Sequence, residues 1–275
     1  MAKQSAPMEV VEPRNGRKFS HVVFDFDGTL SLIREGWPQV MIPQMIEVLA
    51  PLKHGMSPEA LTALITEDVV ELTGKETIFQ MNRLAQRVTQ FGGTPADPLE
   101  YKAEYLRRLM LHIGHRREAL KAGLKKTDDL LLPGSRTLLE GLVARGCTLY
   151  LASGTDQPYV VEEAKLLDVA RYFGPHIYGA REDDRGTGNL KRMVIERLLR
   201  ENNVHGSVLL GFGDGFVEIE EVTNAGGYAV GVASDEAAGG GAIDPWKRQR
   251  LMRAGAKAII PDFGDGHALL SFLFD

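Results

Sequence analysis

Short apolar runs alternate along much of this chain with segments whose apolar positions recur at helical spacing. Residues 21–24, 147–152 and 207–212 are mostly apolar and followed directly by small or acidic residues, and the first run contains two adjacent valines. Such runs predict buried strands. From residue 132 onward these strands alternate with helical segments, which is the βαβ pattern of a parallel sheet. The pattern therefore predicts an α/β fold.

The segment between the first and second predicted strands has a helical pattern of apolar residues. Ser57-Pro58 is a helix start, and apolar residues recur at helical spacing from Leu61 to Leu72. Further helices are predicted over 76–91 and 98–124, with a Gly-Gly-Thr-Pro break at 92–95. We expect a flexible N-terminal tail (1–18), a Rossmann-like parallel sheet core (19–34 and 132–275) and an inserted helical domain (35–131).

Composition narrows the function classes. The chain has 275 residues and a formal net charge of −5, which argues against a nucleic-acid partner. Cys147 is the only cysteine and lies in a predicted strand, so we expect inert burial. No apolar leader segment or membrane-length run is present. We expect a cytoplasmic protein with no membrane partner, either a monomer or a small homo-oligomer.

Two aspartates follow the first predicted strand. Asp25 and Asp27 are two residues apart at its carboxyl end and are followed by Gly28-Thr29. Open α/β folds keep their sites at this edge of the sheet. The two carboxylates would repel each other unless a cation lies between them. Gly28 permits a tight turn and could direct its N–H at an anion.

Anion-binding candidates follow later strands. Ser153-Gly154-Thr155 comes directly after the second core strand, where a hydroxyl and free N–H groups could bind a phosphoryl oxygen. Lys191 lies in the first turn of a predicted helix, where the helix dipole disfavours an unpaired cation. It is therefore a candidate for contacting an anion, with Lys165 and Arg192 as its rivals.

A second acidic pair follows the strand at 207–212. Asp214 and Glu218 are four residues apart, so both face the same way if a helix begins near Gly215. Hard oxygen ligands on one side suit Mg²⁺. Whether Glu218 contacts the metal itself or only orients a metal-bound water stays open.

These four segments, in this order, resemble the motifs of the haloacid dehalogenase superfamily, whose members are mostly magnesium-dependent phosphatases. The resemblance covers about residues 20–35 and 130–275, and the helical middle resembles the cap of the phosphoglycolate phosphatase and β-phosphoglucomutase group. Glu218 departs from the second aspartate that is commonest in the fourth motif.

The resemblance implies a mechanism in which Asp25 attacks phosphorus and forms an aspartyl-phosphate, with Asp27 as acid and base. Mg²⁺ would be held by Asp25, the Asp27 carbonyl and Asp214. The groups implied to hold the phosphoryl oxygens are Lys191, Ser153 and the backbone N–H groups near Phe26, Gly28 and Gly154.

Residues 72–77 resemble the cap loop that gives capped relatives their specificity. Lys75 is thus a candidate substrate contact, and Trp37 could line the entrance. A solvated lysine and a packing tryptophan are the alternatives. The substrate implied is a small phosphorylated metabolite, such as a sugar phosphate or a phosphoglycolate-like acid.

Other activities use related sites. A phosphomutase would use the same residues, and a phosphonate hydrolase would need a cap lysine such as Lys53 or Lys75. Dehalogenases lack the second aspartate, and ion pumps have Lys-Thr-Gly-Thr after the nucleophile together with membrane spans. A non-catalytic binding module would usually have lost part of the set of motif residues.

Overall fold

The computed structural model describes residues 7–186 and 188–275, which form one seven-stranded sheet flanked by helices. The strand order is β1-β7-β6-β5-β2-β3-β4, and all neighbours are parallel except β1 and β7. The strands are β1 (Glu9–Val10), β2 (His21–Phe24), β3 (Thr148–Asp156), β4 (Ile177–Ala180), β5 (Leu209–Gly213), β6 (Tyr228–Val232) and β7 (Ala258–Ile260).

Side chains from both faces of the sheet are buried. Because side chains alternate along a strand, Val22 and Phe24 enter one apolar cluster while Val23 enters another. Helices cover the two faces. They are α5 (Ser135–Ala144), α6 (Gln157–Leu166), α7 (Ala170–Phe173), α8 (Leu190–Asn202), α9 (Phe216–Asn224), α10 (Pro245–Arg253) and α11 (Gly266–Phe274). Helices α8 to α10 pack on the Val23 face, and α5, α6, α7 and α11 pack on the other. The predicted α/β fold class is confirmed.

Four helices lie in the chain between β2 and β3 and are called the helical insertion here. They are α1 (Pro38–Leu49), α2 (Pro58–Glu71), α3 (Thr77–Gln90) and α4 (Pro98–Lys121). Ser57 and Asp97 cap α2 and α4 through their side chains, and each is followed by a proline at the first helical position. Short 3₁₀ turns occupy Thr127–Leu130 and Gly206–Val208.

The N-terminal segment differs in part from the expected flexible tail. Glu9 and Val10 pair with Ile259 and Ala258, so the segment covers an edge of the sheet whose backbone groups would otherwise be unpaired. Residues 1–6 lie outside the described residues. The boundaries given above for the core and the cap domain stay a prediction.

The single cysteine is unreactive in the folded protein, as expected from the sequence. Cys147 is buried, and burial raises the pKa of its thiol to about 11, so little reactive thiolate exists at neutral pH. Within the described ranges, no helix combines the length and apolar character needed to cross a bilayer.

A buried ion pair joins the helical insertion to the core. Lys102 of α4 donates from Nζ to Asp156 Oδ1 at 2.6 Å and to the carbonyl of Glu182 at 3.1 Å. Both charged side chains are almost fully buried. Removing one partner of a buried pair leaves an uncompensated charge in a medium of low polarity.

We expect Lys102→Met to lower the free energy of unfolding by about 3–5 kcal/mol, as measured by denaturant titration. Because burial already raises the pKa of Asp156, its carboxyl is protonated more readily in the folded variant than in the unfolded chain. The loss should therefore shrink as the pH is lowered.

Lys121→Met provides the control on the same helix. Lys121 pairs at the surface with Glu118 and, across to α6, with Glu162; because these pairs are exposed, its loss should cost about 0–1 kcal/mol. Equal effects of the two substitutions would show that the buried pair does not stabilise the junction between the insertion and the core.

Candidate active site

Three of the polar segments singled out in the sequence meet at one edge of the sheet because their strands are neighbours. β2 lies between β3 and β5, so Asp25 and Asp214 follow adjacent parallel strands, and Ser153 lies in β3 just beyond Leu151, the last β3 residue in register with β2. The Asp25 N–H donates to the carbonyl of Phe212 at 2.9 Å and extends this pairing by one residue.

Lys191 from the first turn of α8 lies between two buried carboxylates. Its Nζ is 3.1 Å from Asp25 Oδ1 and 2.6 Å from Glu218 Oε2. All three side chains are less than 10% exposed. The rivals Lys165 and Arg192 are exposed, and Arg192 pairs with Glu196 on the surface. Of the three cations weighed from the sequence, the structure places Lys191 in the site.

Burial sets the acid–base properties of this pair. It raises the pKa of Asp25 well above its ordinary value, and the neighbouring carboxylates of Glu218, Asp214 and Asp27 add to the rise while Lys191 opposes it. For Lys191, burial acts to lower the pKa, but the carboxylates of Asp25 and Glu218 outweigh it and raise the pKa. The lysine is therefore a fixed positive charge beside Asp25.

Three carboxylates could hold a metal ion. Ligand oxygens of Asp25, Asp214 and Glu218 lie within 4.8 Å of one another. Glu218 has both oxygens engaged, since Oε1 accepts from the Gly215 N–H and Oε2 from Lys191. The donor set is all oxygen and negatively charged, which fits a hard divalent cation such as Mg²⁺.

Asp27 faces the carboxyl-terminal part of β3 instead of the three clustered carboxylates. Its Oδ2 accepts hydrogen bonds from Ser153 Oγ at 3.2 Å and Thr155 Oγ1 at 2.8 Å. Its Oδ1 is buried without a hydrogen bond from the described residues, and Arg34 Nε is 3.8 Å away. Glu163 holds Arg34 in place through two hydrogen bonds of 2.9 Å.

Gly28 has a structural role that differs from the anion contact expected of its N–H. The N–H donates to the carbonyl of Ser31 at 3.0 Å, so it is engaged within the turn. Its φ of +75° favours glycine, and a Cβ at this position would collide with the carboxylate of Asp214. Phe26 is likewise interior, with its side chain fully buried.

The site opens into a cavity of about 100 Å³ between the core and the helical insertion. This is smaller than most small-molecule pockets, which span about 300–1,000 Å³. Core residues lining it are Asp25, Asp27, Arg34, Ser153, Gly154, Thr155, Lys191, Asp214 and Glu236. From the insertion and the segment leading into it come Trp37, Met41, Thr73, Gly74, Lys75, Thr77, Gln80 and Tyr105.

Both expected contacts from the insertion reach the cavity wall. Trp37 and Lys75 line it, and the Lys75 ammonium lies 5.6 Å from the ring centre of Phe79 and 6.0 Å from that of Phe216. Lys53, the other cap lysine considered, is exposed and does not line the cavity.

The sequence pattern did not predict the charged and amide side chains of Arg34, Gln80 and Glu236, which line the cavity, or that of Lys247, which pairs with Glu236. Lys247 carried the same signal as Lys191, since both are lysines in the first turn of a helix, where the dipole disfavours a cation. Arg34, Gln80 and Glu236 have no local signal, because only the tertiary fold brings them to the site.

The loop between α2 and α3 rests directly on the core. Glu76 Oε1 accepts the Leu190 N–H at 2.8 Å, next to Lys191. A Cβ on Gly154 would lie 2.8 Å from the carbonyl oxygen of Lys75, which is closer than Cβ contacts occur. Glycine at 154 is therefore what lets the loop close over the site.

The fold and this arrangement of carboxylates, hydroxyls and lysine define a hydrolase of the haloacid dehalogenase type. Residues 19–226 match the haloacid dehalogenase-like hydrolase family, and the chain belongs to that family. A comparison with curated proteins gives no match.

Solved structures share the fold over nearly the whole chain. A conserved haloacid dehalogenase-like protein of unknown function from Agrobacterium tumefaciens is 18% identical with a TM-score of 0.60, covering 92% of this chain and 98% of its own. A predicted phosphoglycolate phosphatase from Haemophilus somnus is 16% identical (TM-score 0.58, 91% and 97% covered). A β-phosphoglucomutase from Clostridium difficile is 12% identical (TM-score 0.60, 92% and 97% covered).

We expect Gly154→Ala to push the 73–76 loop away from the core, because the added methyl group meets the Lys75 carbonyl. Hydrogen exchange should speed up in peptides covering 70–80 and at the start of α8, where Glu76 holds the Leu190 N–H. Gly114→Ala is the control, since a Cβ there meets nothing within 4 Å. Unchanged exchange in Gly154→Ala would mean that the loop tolerates the methyl group in place.

Proposed function

We propose that this protein is a Mg²⁺-dependent phosphatase that hydrolyses a small phosphorylated metabolite, such as a sugar phosphate or a phosphoglycolate-like acid, through an aspartyl-phosphate intermediate. The observation that carries the proposal is the buried Asp25, which lies 3.1 Å from Lys191 and within a cluster of three carboxylates. A carboxylate beside a fixed cation is suited to attack a phosphoryl group. The small volume of the cavity, about 100 Å³, supports a small substrate.

Asp25 is the nucleophile in this proposal. Its oxygen attacks phosphorus in line, the bond to the leaving oxygen breaks, and a covalent phosphoryl-aspartate forms. Lys191 contributes positive charge to the phosphoryl oxygens, and Glu218 holds the lysine through Oε2. The backbone N–H groups of Phe26 and Gly154 complete the phosphoryl pocket, together with the Ser153 hydroxyl, which donates to Asp27 Oδ2 in the structure.

Asp27 is the acid and base. It gives a proton to the leaving alcohol and then takes one from the water that hydrolyses the phosphoryl-aspartate. Thr155 holds its Oδ2 through a hydrogen bond of 2.8 Å, so Oδ1 is the oxygen left to exchange the proton. Arg34 lies near Oδ1 and lines the cavity, where Glu163 fixes its position. In this proposal its guanidinium group can also contact oxygens of the substrate.

Asp25, Asp214 and the backbone carbonyl of Asp27 would hold the Mg²⁺. When bound, the ion supplies positive charge that offsets the repulsion between carboxylate and phosphoryl oxygens. Glu218 serves in this proposal to hold Lys191, since both of its oxygens already accept hydrogen bonds from the protein.

We expect purified protein to release inorganic phosphate from at least one member of a panel of sugar phosphates, phospho-acids and nucleotides in the presence of Mg²⁺. EDTA should abolish the release, and Asp25→Asn should lack it because an amide cannot form the phosphoryl intermediate. Asp183→Asn, a change at an exposed aspartate, is the control. Release by Asp25→Asn equal to that of the wild type would sink the mechanism, and turnover only with a sugar bisphosphate activator would indicate a mutase.

We expect Asp27→Ala to lower kcat by roughly 10²–10⁴-fold on an alkyl phosphate, with the Arg34–Glu163 pair left intact. The leaving group of an aryl phosphate departs without a proton more readily than an alcohol does. The substitution should therefore slow the formation of phosphoryl-aspartate less with an aryl phosphate than with an alkyl phosphate. Rapid-quench measurement of this intermediate separates the two steps. Equal losses in the formation step for both substrates would argue against Asp27 as the acid.

A further inference from the structure

Lys247 joins two loops at the acidic edge of the site. From the first turn of α10, its Nζ is 2.8 Å from Asp214 Oδ2 and 2.6 Å from Glu236 Oε1. The Ser234 hydroxyl is 3.3 Å away and itself donates to the carbonyl of Gly28 at 2.9 Å. The charged side chains of Lys247, Asp214 and Glu236 are each at most one fifth exposed.

The contact with Lys247 gives the two carboxylate oxygens of Asp214 different hydrogen bonds. Oδ2 is held by the Lys247 ammonium, whereas Oδ1 accepts only a long hydrogen bond of 3.3 Å from Thr29 among the described residues. Asp214 and Glu236 both reach the same ammonium nitrogen, so their carboxylates are close neighbours. Without the cation between them, two mostly buried like charges would repel each other.

We propose that Lys247 is a positioning residue for the metal site: it holds Asp214 by Oδ2, separates it from Glu236, and leaves Oδ1 to bind the divalent ion. The inference rests on the proposed function only in taking Asp214 as a metal ligand. Groups that orient a metal ligand typically change metal affinity by 10–100-fold when they are removed.

If Lys247 acted in the opposite way, its removal would change the Mg²⁺ affinity in the opposite direction. An ammonium beside a metal ligand also repels a divalent cation, so a lysine acting mainly as a competing charge would weaken ion binding, and its removal would strengthen it. The direction of the change in Mg²⁺ affinity therefore separates the two roles.

The test is Mg²⁺ binding to the full-length protein, measured by isothermal titration calorimetry without substrate. We expect Lys247→Met to raise the Kd for Mg²⁺ by about 10–100-fold, and Lys247→Arg to raise it less because the charge and donors remain. Lys257→Met is the matched control, since Lys257 is equally buried but pairs with Glu12 away from the site. Unchanged or tighter binding by Lys247→Met overturns the proposal.

A second variant tests the separation of the carboxylates. Glu236→Gln combined with Lys247→Met removes the charge that would repel Asp214, so it should recover part of the lost Mg²⁺ affinity. No recovery overturns this part of the inference. If Lys247→Met fails to fold, Lys247→Arg and the double variant, which leaves one fewer charge unpaired, carry the same comparison.

The comparison of Mg²⁺ affinities does not depend on whether the protein is a phosphatase. Wild-type protein that binds Mg²⁺ but releases no phosphate from the panel would contradict the phosphatase proposal and leave the Lys247 comparison intact. Wild-type protein that binds no Mg²⁺ would overturn both.

Discussion

Concentrated negative charge at one end of the sheet is the constraint on which this site depends. Six carboxylates meet there with three cations: Asp25, Asp27, Glu163, Asp214, Glu218 and Glu236 with Arg34, Lys191 and Lys247. Burying an unpaired charge costs far more than a folded domain can supply, so each acid must be paired or neutralised. Each cation bridges two carboxylates, which holds the acids in fixed places but leaves an excess of negative charge. That excess is what a divalent ion can relieve.

The arrangement also explains why the parallel sheet matters. Adjacent parallel strands end at the same edge, so the loops after β2, β5 and β6 and the last residues of β3 deliver acids and hydroxyls to one place. The cations come from outside the strands, two of them from first turns of helices. Their charge opposes the helix dipole, and the carboxylates they reach compensate for it.

The helical insertion closes the other side of the site through backbone as much as through side chains. Gly154 admits the carbonyl of Lys75, and Glu76 accepts the N–H at the start of the helix that carries Lys191. The position of the loop is thus coupled to the helix beside the proposed nucleophile. The cavity between the insertion and the core has a volume of only about 100 Å³, so a large ligand would require the insertion to move.

The acidic residues of the site could be predicted from the sequence because they follow strands closely. Asp25, Asp27 and Asp214 each stand at a strand end, and Lys191 was found because a lysine in a first helical turn lacks a local partner. Lys247 carries the same signal in the first turn of α10, but no acidic strand end close to it in the sequence points to its partners. Gly28 was assigned to an anion, but in the folded protein its N–H serves the turn and its missing side chain makes room for Asp214.

The sequence by itself determined the α/β class, the order of the motifs and the chemistry of their residues, because strand periodicity and adjacent carboxylates are local properties. Only the tertiary structure decided which charges pair. Glu218 with Lys191, Glu163 with Arg34, and Glu236 with Lys247 lie 27, 129 and 11 residues apart in the chain. Such partners are chosen by how strands and helices pack, so a pattern read along the chain cannot show them. The physical reason is that burial makes pairing obligatory, whereas topology selects the partner.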